Sequence, residues 1–165
     1  SVPVHKISIV TRGQNTGIVM HLPTDDMTLP SHTFFETQLK IAMGGRAAEE
    51  LMFPTVTNST VPDMERATKM ARDMVTRYGM SETLGPIIYG QKEELVFLGK
   101  EIGEQRNYSE DAARAIDLEV RRFIEEAFES AKIIVSENKD KLVEVAERLM
   151  TEETIDGPTF TAMFA

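Results

Sequence analysis

The chain has 165 residues, enough for one domain with its own core, and no cysteine, which excludes disulfides and thiolate metal ligands. Its net charge of −9 is uneven: residues 1–80 hold eight basic and eight acidic side chains, and residues 81–165 hold ten and nineteen. That balance argues against a nucleic-acid surface, which needs clustered Lys and Arg to neutralise phosphates, and no apolar run approaches the ~20 residues needed to cross a bilayer. Lack of cysteine fits a reducing compartment. Ten methionines without tryptophan suggest a helical core filled by flexible side chains. The first residues, Ser1-Val2-Pro3-Val4, are neither a start methionine nor a signal peptide and read as a cut inside a longer protein.

Residues 4–10 alternate imperfectly between apolar and polar positions and predict a strand. Turn residues from Thr11 to Gly17 and a second short strand, Ile18 to Leu22, predict a hairpin. Pro23 to Pro30 reads as a polar loop. Ser31 can cap a helix that runs to about Met52, with Phe35, Leu39, Ala42, Met43 and Ala47 on one face. Gly44-Gly45 within it costs roughly 1 kcal/mol per glycine, which predicts close approach by another backbone. Pro54 ends this helix.

A further helix is predicted from about Pro62 to Tyr78, with Met64, Ala67, Met70, Ala71, Met74 and Tyr78 on one face and Gly79 at its C-terminal stop. Residues 80–107 show little period and read as a long loop. Ser109 can cap the longest helix, to about Ser136, with a stripe of Ala113, Ile116, Val120, Phe123, Ala127, Ala131 and Ile134. Leu142, Val145, Ala146 and Leu149 mark another. Asp156 caps a last short helix with Pro158 in its first turn. The fold class that follows is mainly α, with a small N-terminal β-hairpin and long helices paired as in an antiparallel bundle. The chain divides into a hairpin and loop (1–30), two helices (31–79), a long loop (80–108) and a C-terminal helical bundle (109–165).

For chemistry, the carboxylates and histidines are the candidates. His5, His21 and His32 lack the spacing of paired ligands and read as packed or exposed side chains. There is no H-E-x-x-H, so no catalytic residue is assigned, and no GxxxxGK[ST] loop, so no ATP site. Glu49-Glu50 could be a working carboxylate pair, but helix neighbours point ~100° apart. Arg46 lies three and four residues before them, which favours local ion pairing. Glu125-Glu126 and Glu152-Glu153 read as solvated surface. Asp63, after Thr60-Val61-Pro62, has the spacing of a capping box, and an acid there suits the helix dipole. The early hairpin could offer an edge to an extended peptide or could simply be a structural sheet.

Several segments together carry a resemblance: Pro3-Val4-His5-Lys6, Arg12-Gly13, Gly44-Gly45-Arg46-Ala47-Ala48-Glu49-Glu50-Leu51-Met52-Phe53, Asp63-Met64-Glu65-Arg66-Ala67-Thr68, Tyr78-Gly79-Met80-Ser81, Leu84-Gly85-Pro86, and Phe97-Leu98-Gly99 through Arg106 to Glu110. In order and spacing the chain resembles the peptidase domain of the FtsH family, membrane-anchored ATP-dependent zinc metalloproteases. The resemblance implies a mostly helical protease domain whose H-E-x-x-H helix precedes Ser1. It makes Asp63 the third zinc ligand and residues 31–79 the zinc-ligand helices. The stretch Asn58-Ser59-Thr60-Val61-Pro62 departs from the Gly-containing sequence usual before that aspartate. For the parent protein it implies zinc, ATP and magnesium in a separate AAA+ ATPase domain, a homo-hexamer and unfolded or membrane polypeptides as substrates. The membrane would be reached only through N-terminal segments, and the place would be the cytoplasmic face of an inner membrane. Without the two histidines and the general base, the 165 residues alone are expected to be inactive. The alternative is a non-enzymatic helical module for oligomerisation or docking.

Overall fold

A computed structural model describes residues 3–10, 18–21, 29–92, 104–105 and 107–164. Among these the order is β1 (Val4–Ser8), β2 (Ile18–His21), α1 (His32–Met52), α2 (Val61–Thr76), β3 (Gln91–Lys92), β4 (Glu104–Gln105), α3 (Glu110–Glu137), α4 (Lys139–Glu152), β5 (Thr154–Asp156) and α5 (Gly157–Ala162). The class is mainly α, as the periodicity predicts. The chain forms two compact units, Pro30–Ile133 and a second made of Ser1–Leu29 with Ile134–Ala165.

In the first unit α1 begins where Ser31 accepts the Phe34 amide through its hydroxyl (3.2 Å). It ends at Phe53, whose amide returns to the Glu49 carbonyl just before Pro54. Helix α2 closes with Gly79 at φ 60°, a left-handed position that suits glycine. The Met80 amide there reaches back to the Met74 carbonyl at 2.9 Å. Leu39, Ala42, Met43 and Ala47 of α1, Ala67, Ala71, Met74 and Val75 of α2, and Ala113, Ile116, Val120, Phe123, Ala127 and Ala131 of α3 are all buried. Full burial is worth about 1.5–3 kcal/mol for each of the larger side chains. Helices α1 and α2 are the most extensively packed helix pair among the described residues of the unit.

The sequence reading is corrected at two helix faces and in one loop. Tyr78 is half exposed, although it stacks on Phe35 with centroids 5.2 Å apart. Ile134 is exposed where the α3 stripe was expected to continue. Residues 80–108 contain more order than a loop: Gln91–Lys92 pair antiparallel with Glu104–Gln105. Residues 11–17, 22–28 and 93–103 lie outside the described residues, so the turn and loop expected there are not described.

In the second unit the expected hairpin forms, but as part of a three-stranded antiparallel sheet in the order β2-β1-β5. Strand β1 is therefore central, Ile7 standing opposite both Val19 and Ile155. The C-terminal region is not purely a helical bundle, since β5 joins the first strand of the chain. Val145, Leu149, Ile155 and Met163 form the core here, with Ile7 and Phe160 packed on it. Asp156 caps α5 by accepting the Thr159 amide at 2.8 Å. The Thr159 side chain first, and then that amide, hold the Asp156 carboxyl below its usual range.

Candidate functional site

The corner between α1 and α2 carries the densest polar chemistry near Asp63. Glu49, in the last turn of α1, is 8% exposed. Its Oε1 accepts two hydrogen bonds from Thr57, from the amide at 2.8 Å and the hydroxyl at 2.6 Å. The Thr57 oxygen in turn accepts the Ser59 amide at 3.2 Å, closing a short local turn. The Val61 amide then bonds the Asn58 carbonyl, and the Met64 amide bonds that of Thr60, which starts α2. A carboxylate inside α1 thus fixes the chain that launches α2. The Thr57 hydroxyl, with help from Arg46, holds the Glu49 carboxyl below the usual glutamate range against the opposing effect of burial.

Arg46 divides itself between the two glutamates. Its Nε donates to Glu50 at 3.0 Å, whereas its other nitrogen stands 3.9 Å from Glu49 Oε2, an ion-pair distance beyond hydrogen-bond reach. Among the described residues, Glu49 Oε2 and the buried Thr60 hydroxyl have no hydrogen-bond partner. Thr60 packs its methyl 3.6 Å from where a Cβ on Gly45 would lie. Gly45 and Glu49 are four apart and share a face of α1, so the two orphaned groups belong to the same corner.

Asp63 sits in the first turn of α2, as its spacing predicts. Its side chain is 45% exposed, and Oδ1 accepts from Arg66 at 2.9 Å. The expected capping box does not form: Thr60 makes no side-chain cap bond. Its hydroxyl is buried, while the Asp63 carboxylate is engaged by Arg66. An open cavity of about 480 Å³ on α2 is lined by Val61, Met64, Glu65, Thr68, Lys69 and Arg72. Asp63 is not among these residues.

The paired-glycine expectation is also corrected. A Cβ on Gly44 would meet no described atom within 4 Å, and Gly45 faces the Thr60 side chain rather than a backbone. His5 and His21 are exposed strand residues. His32 lies 3.5 Å from Glu36 and edge-on to Phe123. Glu126 pairs with Arg122 and Glu152 with Arg148. Among the described residues no three His, Asp or Glu side chains come together as a metal cage.

A second buried carboxylate escaped the sequence reading. Glu119 of α3 accepts the Ser81 hydroxyl at 2.6 Å and both Nε and a terminal nitrogen of Arg122 at 3.0 Å. Arg122 foremost, then Ser81, hold this carboxyl below its ordinary range. The Ser81 oxygen also accepts the Leu84 amide, so the network ties the chain after Gly79 to α3. For Glu49 a signal existed: it lies seven residues after Ala42, on the buried side of α1. For Glu119, its position next to Val120 in the stripe hid it.

The described residues thus form a mainly helical scaffold with a partly exposed carboxylate, Asp63, at the head of α2 beside a buried polar corner. Comparison then assigns the family. Peptidase family M41 matches the chain over residues 1–163, and the chain belongs to that family. The chain is similar to the ATP-dependent zinc metalloprotease FtsH 1 of Sphaerobacter thermophilus, 51% identical over 98% of this chain and 25% of that protein. The protein of the same name from Thermomicrobium roseum is also 51% identical over 98% of this chain and 25% of its own length. The ATP-dependent zinc metalloprotease FtsH of Thermotoga maritima is 46% identical over 94% of this chain and 26% of its own. The chain thus spans about a quarter of the length of these relatives. No helix among the described residues is long and apolar enough to cross a membrane.

Proposed function

We propose that this chain is part of an ATP-dependent zinc metalloendopeptidase acting on unfolded or membrane-derived polypeptides, and that Asp63 supplies one of its zinc ligands. The observation that carries the reading is the family match over residues 1–163, with Asp63 at the accessible first turn of α2. The donor fits the metal: zinc takes carboxylate oxygen, and this one is within reach of solvent and held by a single exposed arginine. When bound in an open site, zinc lowers the pKa of its water and so supplies a hydroxide nucleophile near neutral pH.

What this chain contributes is positional. The turn from Thr57 to Thr60 sets where α2 begins, the first turn of α2 presents the carboxylate, and Arg66 limits its rotation. The other two ligands and the general base would come from outside residues 1–165, which contain no H-E-x-x-H. ATP and magnesium would act in a separate ATPase domain, in a hexamer anchored through other segments at the cytoplasmic face of an inner membrane.

The test uses the full-length protein that carries this chain. It should degrade casein in an ATP-dependent, chelator-sensitive way. Asp63→Asn should abolish cleavage and bound zinc while leaving ATP hydrolysis intact. Residues 1–165 alone should neither cleave casein nor bind zinc at micromolar metal. Full activity and zinc content in the Asp63→Asn enzyme would show that the ligand lies elsewhere, and chelator-sensitive cleavage by residues 1–165 alone would show a site built from other residues.

A further inference from the structure

Glu49 is spent on the backbone of the next segment rather than on solvent. Burying a carboxylate is expensive unless hydrogen bonds compensate, and here the compensation is two bonds from one residue, Thr57. Thr57 is six residues before Asp63. Between them the chain makes a hydroxyl-closed turn at Ser59, the Asn58 to Val61 bond and the first turn of α2. Thr60, the residue before α2, is buried against Gly45, one turn back on the same face of α1. Two described contacts, Thr57 on Glu49 and Thr60 beside Gly45, therefore tie the start of α2 back to the last turns of α1.

We propose that Glu49 is a positioning residue for the ligating carboxylate of Asp63: through Thr57 it fixes the start of α2, and so the place at which Asp63 is offered to the metal. The inference rests on the reading of Asp63 as a ligand. The Glu49 Oε1 is committed to Thr57, so the property this role requires of it is that of a hydrogen-bond acceptor. Groups that orient a metal ligand typically change metal affinity about 10–100-fold when removed.

The experiment measures zinc affinity of the full-length enzyme by competition with a chromophoric chelator, alongside casein turnover and thermal unfolding. Glu49→Gln keeps a side-chain acceptor for both Thr57 bonds. It should hold zinc within about threefold of the parent, a small change on the scale just given. Glu49→Leu should lose zinc affinity by about 10-fold or more, with turnover restored by excess zinc. Thr57→Val removes only the hydroxyl bond and should fall between them, and the Glu49→Leu/Thr57→Val double variant should be no worse than Glu49→Leu alone. If Glu49→Leu does not fold, the comparison of Glu49→Gln with Thr57→Val decides: tight zinc in the first and weakened zinc in the second support the proposal.

Loss of zinc in Glu49→Gln as deep as in Asp63→Asn, with unfolding unchanged, would make the charge itself essential and overturn it. Unchanged affinity in both Glu49→Leu and Thr57→Val would overturn it as well. Failure of the ligand reading looks different: Asp63→Asn would then bind zinc as tightly as the parent.

Discussion

Gly44 stands in the middle of α1 with space where a Cβ would go, whereas Gly45, beside it, faces the Thr60 methyl at ordinary contact distance. Glycine in a helix interior costs roughly 1 kcal/mol relative to alanine through lost backbone entropy. Gly44→Ala should therefore raise the stability of the chain by about that amount, or about 2–4 °C in thermal unfolding. An unchanged or lowered midpoint would show that something outside the described residues packs on Gly44. The same residue-by-residue accounting separates Glu49 from Glu50: one is buried and bonded to Thr57, the other is paired with Arg46 at the surface.

At the scale of elements, the tie between α3 and the chain after Gly79 depends on Glu119. Its carboxyl is held below the ordinary glutamate range, first by Arg122. A carboxyl depressed on folding contributes stability that is fully present above its unfolded value of about 4.3 and is lost as pH falls through the lower folded value. Glu119→Gln should therefore lower stability at pH 7 and flatten the acid limb below about pH 4. Removing one partner of a buried pair costs roughly 3–5 kcal/mol, but Arg122 is 42% exposed, so a loss of about 2 kcal/mol is expected. Urea unfolding of both proteins across pH 3–7 measures it. Parallel curves displaced by a constant amount would mean that Glu119 acts by shape rather than by charge.

For the whole molecule, the decisive contact joins the two ends of the sequence. Gly157, at the head of α5, is buried against β1, and a Cβ there would overlap the carbonyl oxygen of Val4. The overlap is with backbone, which has no rotamer to yield. Gly157→Ala should cost about 3 kcal/mol, the upper part of the range for overpacking. Hydrogen exchange offers the finer readout: the amides of β1 and β5 should lose protection while those of α1 and α2, in the other unit, keep theirs. Equal loss in both units would mean that they unfold together.

By itself the sequence determined the helices, because apolar spacing and caps are local properties. Ser31, Ser109 and Asp156 each accept the amide that their position predicts, and Gly79 takes the left-handed stop. It also determined the family, through motifs whose order spans the chain, and the place of Asp63 in the first turn of α2. Tertiary structure decided what each local signal was used for. Thr60 matched a capping box, yet its hydroxyl is buried without a cap bond and its methyl lies on the Gly45 side. Strand β5 was not legible: three residues carry no period, and its partner β1 lies about 150 positions earlier in the chain. Glu119 was missed, and Glu49 was read only as a partner of Arg46, for a related reason. A carboxylate in an apolar stripe looks like a break in the pattern until the donors that satisfy it, Thr57 in one case and Ser81 with Arg122 in the other, are brought to it by the fold.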